Sequence, residues 1–80
     1  MPYIKQGEKR DVHLFGPKTP GQLNYAITML LIAYMKRNEL NYSVINDCLG
    51  ALEGAKQEFY LRVAQPYELN KRDLNGDVYG

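Results

Sequence analysis

The chain has one cysteine, Cys48, one histidine, His13, and no tryptophan in its eighty residues. A lone cysteine excludes an intrachain disulfide, and with a lone histidine it excludes a Cys/His zinc site. Charge of one sign is missing too, since ten Lys and Arg stand against nine Asp and Glu. That balance leaves no basic footprint for a phosphate backbone, which disfavours nucleic acid as a partner. The longest apolar run, Ala26 to Met35, is broken by Thr28 and falls far short of the ~20 residues that span a bilayer. The first residues, Met-Pro-Tyr, are followed within a few residues by charges rather than by an apolar signal segment. The expectation is a cytoplasmic protein without a membrane partner.

Eighty residues make a single helical domain of a size where one core rarely supplies more than ~3–5 kcal/mol. With disulfides and structural metal excluded, self-association is the remaining source of stability.

The punctuation of the chain is helical. Gly7, Gly16, Pro2 and Pro17 break residues 1–19 into an extended N-terminal arm with at most one helical turn. Thr19-Pro20-Gly21-Gln22 is a helix start: Thr19 as N-cap, Pro20 at the first position, Gln22 as capping-box partner. Helix one runs over about 20–37. Asn38 and Glu39 turn the chain, Asn41 or Ser43 caps a second helix over about 43–65, and Pro66 ends it. Ile45, Cys48, Leu49, Leu52, Ala55, Phe59 and Val63 recur there at three- and four-residue steps. The expected fold is all-α: an antiparallel helical hairpin (20–65) with the arm before it and a short C-terminal helix and tail (66–80) after it.

Helix one is apolar nearly all round. Leu23, Ile27, Leu30 and Tyr34 form one face, while Tyr25, Met29, Leu31, Ile32 and Met35 cover much of the rest. A hairpin covers one side only, so Met29 and Ile32 are assigned to contact with another copy, in a homo-oligomer of at least two chains. Gly50 and Gly54 lie one turn apart inside helix two, where each costs about 1 kcal/mol relative to alanine. They are assigned to close helix packing or to the oligomer contact.

Two apparent motifs fail. "GALEGAK" has the wrong glycine spacing, and an Ala between Gly54 and Lys56, for a phosphate loop. Asp73, Asn75 and Gly76 lack the first and last ligands of a calcium loop. Without a second histidine or a defined carboxylate pair, no catalytic triad or metal-water site assembles, so neither enzyme activity nor a cofactor is expected. The seven tyrosines remain, with Tyr3, Tyr67 and Tyr79 outside the hairpin. A ring with a hydroxyl suits stacking on a flat group whose polar edge it also bonds. Lys5, Gln6, Arg62, Lys71 and Arg72 stand near them in sequence, able to hold phosphate.

The segments "MPYIKQ", "TPGQLNYAIT", "LNYSVINDCLGALEGAKQEFYLRV", "PYE" and "NGDVY" resemble a family of small proteins encoded by phages, prophages and bacteria. The resemblance covers most of residues 1–6 and 19–79, departs over 7–18, and has Gln22 where Glu is common. In size and expected self-association the chain is also similar to phage proteins of the Sequestin group, small non-catalytic oligomers that sequester nucleotide immune signals. That analogy implies a phage-encoded protein in the host bacterial cytosol that binds a cyclic nucleotide or ADP-ribose derivative and so counteracts defence. It implies that Tyr3 and Tyr79 lid the ligand with Tyr67 nearby, that Lys5, Gln6 and Arg62 meet its phosphates, and that Asp77 accepts from ribose hydroxyls. Two alternatives stay open: a module that inhibits a host protein directly, and a nucleic-acid accessory protein using Lys5, Lys9, Arg10 and Lys18.

Overall fold

A computed structural model describes residues 1–80, which form helices and no strand: α1 (Gln6–Phe15), α2 (Pro20–Arg37), α3 (Tyr42–Phe59), a π-helical turn (Tyr60–Ala64) and α4 (Gln65–Asn75). The chain divides into two compact units, Met1–Ile45 and Asn46–Gly80.

The all-helical expectation holds, and α2 has the expected bounds. Its N-terminus is closed by the Gln22 N–H donating to Thr19 Oγ1 (3.2 Å), with Pro20 in the first turn. The Gln22 side chain reaches one residue further back than a capping box requires, accepting from the Lys18 N–H (2.9 Å). At the other end the Asn38 side chain donates to the Tyr34 carbonyl (2.8 Å), and Asn41 Oδ1 accepts from the Val44 N–H (3.0 Å) to start α3. Each cap satisfies a backbone group that a helix end leaves open.

Residues 1–19 are not an extended arm. Ten of them form α1, closed by Gly16 at φ 85°, whose N–H donates to the Val12 carbonyl (2.9 Å). The helix is held by what it rests on. Val12 is buried, His13 Nε2 lies 3.0 Å from the hydroxyl of buried Tyr25, with the two rings edge to face, and the Gln22 amide donates to Glu8 Oε1 (3.2 Å). Ahead of α1, Pro2 and Ile4 are half-buried while Met1, Tyr3 and Lys5 are exposed. Ile4 and the Met1 carbonyl close on Gly21, where a Cβ would stand 3.6 Å and 3.4 Å from them. This explains the apolar residue near the N-terminus: it covers the first turn of α2.

Glu8 is the electrostatic point of this unit. The Lys5 backbone N–H (3.0 Å), then the Gln22 amide, then the Lys5 charge hold its carboxyl below the ordinary value. A depressed native value means the carboxylate contributes stability above its unfolded pKa and loses it as the pH falls through the native one. The thermal midpoint of the wild type should therefore fall faster on acidification than that of Glu8→Gln, and parallel acid limbs would refute the assignment.

Pro66 does not end the second helix. Gln65, just before it, stays helical (φ −64°, ψ −49°) and its N–H donates to the Tyr60 carbonyl five residues back. A proline ring crowds the carbonyl four residues earlier and supplies no N–H. Widening the preceding turn to the π form gives the ring room, and the helix runs on to Asn75.

Gly50 and Gly54 have open space where a Cβ would stand, so nothing within the chain requires glycine there. Gly54→Ala should raise thermal stability by up to about 1 kcal/mol, the difference in helix propensity. A loss would mean that another molecule approaches that face.

Candidate functional site

The Asn75-Gly76 turn reverses the chain after α4. Gly76 takes φ 95°, open to glycine alone at low cost, and its N–H closes the helix on the Arg72 carbonyl (2.8 Å). The tail is then fixed locally by the Tyr79 N–H donating to Asp77 Oδ1 (2.8 Å). Between this tail and the face of α4 lies an open groove of about 530 Å³, lined among others by Tyr60, Leu69, Lys71, Arg72, Asn75, Asp77 and Tyr79. Its volume is that of a small-molecule site.

The lining is mixed in charge, with Lys71 and Arg72 set against Glu68 and Asp77. Lys71 and Arg72 supply positive charge, and the nearest carboxylate to Arg72 Nε is the exposed Asp73 at 3.8 Å, a pair that solvent weakens. Tyr60 and Tyr79 bring rings with hydroxyls, and Asn75 and Asp77 bring an amide and a carboxylate. Tyr79 is 99% exposed, so its ring is available to a ligand. A smaller hollow of about 340 Å³ lies along Glu53, Lys56, Gln57, Tyr60 and Leu61, where Glu53 already accepts from Gln57 (3.3 Å) and stands 3.9 Å from Lys56. No group of three His, Cys, Asp or Glu side chains converges as metal ligands would, and no helix is long and apolar enough to cross a membrane.

The seven residues singled out as ligand contacts fall in two places. Asp77 and Tyr79 line the groove. Arg62 and Tyr67 belong to the same unit but not to the lining: Arg62 pairs with Glu58 (3.5 Å), and Tyr67 lies under the Lys71 ammonium (5.6 Å). Tyr3, Lys5 and Gln6 belong to the first unit, where Lys5 caps α1, Gln6 opens it and Tyr3 is exposed. Met29 and Ile32 are half-buried in α2.

Sequence reading missed Tyr60, Glu68, Leu69 and Asn75 as groove residues. Tyr60 lies before the break assigned to Pro66, and only a helix continuous across that proline puts it along the same groove as Leu69 and Arg72. The signal available was the three- and four-residue spacing of Glu68, Leu69, Arg72 and Asn75 on one helical face.

No curated protein and no solved structure matches the chain. Its identity rests on a family model that matches residues 1–78, described as "Domain of unknown function (DUF6899)", and the chain belongs to that family.

Proposed function

We propose that this is a non-enzymatic, homo-oligomeric binding protein that sequesters a nucleotide signal, with the groove between α4 and the tail as the ligand site. The observation that carries the reading is how little one chain buries. Val12, Tyr25 and Val44 are its only buried side chains, while Leu23, Leu30, Leu49, Phe59, Val63 and Leu74 stay exposed. Each such side chain is worth about 1.5–3 kcal/mol when covered, so other copies of the chain supply what the monomer lacks.

Lys71 and Arg72 for phosphate, Tyr79 for a base and Asp77 for ribose hydroxyls support this ligand class. In this reading Arg62, Tyr67, Tyr3, Lys5 and Gln6 complete the site in the assembly, and Met29 and Ile32 serve its contacts. The biological role is that of a phage or prophage protein in the bacterial cytosol that lowers the free concentration of a defence signal.

A thermal-shift screen against cyclic dinucleotides, cyclic ADP-ribose isomers, ADP-ribose and NAD tests the reading. A ligand at a hundred times its Kd adds about 2.7 kcal/mol per site, which raises the midpoint of a domain this small by on the order of 10 °C. Arg72→Ala and Tyr79→Ala should abolish the shift. A flat panel favours a second reading, direct docking on a host protein, which the same exposed apolar side chains support.

A further inference from the structure

The second unit, Asn46–Gly80, is a helix with a tail and contains no buried residue. A helix of this length does not hold its apolar residues in water without a partner. Its exposed residues carry an order that identifies the partner. Leu52 and Phe59 are seven apart, and so are Tyr67 and Leu74. Between Phe59 and Tyr67 the step is eight, and there the π-turn Tyr60–Ala64 intervenes. Eight residues of regular α-helix would turn Tyr67 about 80° away from Phe59. A π-turn takes up one extra residue, so the eight steps rotate like seven and the four side chains stay on one seam.

A seam repeating every seven residues is the pattern of one helix paired with another. With Leu49 and Val63 beside it, the seam offers roughly 600 Å² of apolar area per chain, near the ~800 Å² per partner of a standard interface. Charge sets the direction. Before Phe59 the unit carries Asp47, Glu53 and Glu58 against Lys56, and beyond it Arg62, Lys71 and Arg72 balance Glu68, Asp73 and Asp77. Antiparallel pairing sets the acidic half against the balanced one, whereas parallel pairing sets the two acidic halves against each other.

We propose that the seam Leu52–Phe59–Tyr67–Leu74 is the contact between two copies of this chain, paired antiparallel about a two-fold axis near Val63. The proposal rests on the oligomeric part of the function proposed above and names its surface.

Cysteine cross-linking in a Cys48→Ser background tests it alongside sedimentation. A cysteine at the axis, Val63→Cys, should link to its own copy. Leu52→Cys alone should not, because the two sites lie at opposite ends of the seam, but mixed with Leu74→Cys it should. Phe59→Glu should weaken dimerisation about a hundredfold by placing a charge in the seam; the cross-links carry the test if that variant fails to fold. A monomer in sedimentation overturns the proposal, as does self-linking of Leu52→Cys or a Val63→Cys chain that stays unlinked. A dimer whose seam does not link refutes the surface and leaves the oligomeric binding protein standing. A correctly linked dimer that no nucleotide stabilises supports the surface and removes the ligand.

Discussion

Tyr25→Ala is expected to undock α1 from α2 and to cost about 3–5 kcal/mol, the range for removing a large aromatic from a core. Tyr25 is 8% exposed and one of three buried side chains in the chain. Its ring meets His13 edge on at 5.7 Å between centroids, with the Lys9 ammonium 6.0 Å from its centre, and its hydroxyl lies 3.0 Å from His13 Nε2. Deleting it removes most of what α1 rests on, so the helix should melt ahead of the rest. Tyr25→Phe keeps the ring and loses one hydrogen bond, for a cost of about 1 kcal/mol. Circular dichroism melts of the two variants separate packing from polarity. At about 4–8 °C per kcal/mol for a domain this small, the alanine variant should fall by more than ten degrees and the phenylalanine variant by only a few. Equal midpoints would mean that the hydroxyl pair, not the ring, holds α1. Amide exchange at Gly16, whose N–H closes α1 on Val12, should accelerate in the alanine variant before the amides of α2 do.

The contrast between α1 and α2 shows what the sequence could and could not disclose. The bounds of α2 follow from local chemistry: a threonine cap, a proline in the first turn and an asparagine closing the last one are short-range features written in adjacent residues. α1 starts on a weaker signal, Glu8 accepting from the Lys5 N–H. Its cap position is Lys5, Gly7 lies in its first turn, and its stability comes from Tyr25 and Gln22, twelve and fourteen residues away from their partners His13 and Glu8. Tertiary contact overrides weak propensity there, and Gly16 and Pro17 after Phe15 were the local marks of its end. The candidate site was legible in kind more than in place. Asp77 and Tyr79, singled out as acidic and aromatic residues of the tail, line the groove, but Tyr60 was hidden behind the proline that was expected to end the helix.

That proline governs the second prediction. Pro66→Ala restores an N–H and removes the ring that crowds the Arg62 carbonyl, so residues 60–64 should relax from the π form to a regular α-helix. Considered alone, the helix gains by up to about 3 kcal/mol, the propensity difference between proline and alanine. The gain comes with a rotation. Without the extra residue taken up at the π-turn, Tyr67 and Leu74 swing by about 100° away from Leu52 and Phe59, one residue's turn of an α-helix. Two of the four seam side chains then leave the contact, each worth about 1.5–3 kcal/mol when buried, and Lys71 and Arg72 change direction with them. Helicity should therefore rise while the dimer dissociation constant increases by about a hundredfold or more, as twice the lower burial value converts. Sedimentation over a concentration series and circular dichroism on the same samples read the two effects separately. If Pro66→Ala raised helicity and left association untouched, the π-turn would be only an accommodation of the ring. Opposite movement of the two makes it the element that keeps an otherwise mismatched spacing in phase, and it explains why a proline is tolerated in the middle of the longest helix in the chain.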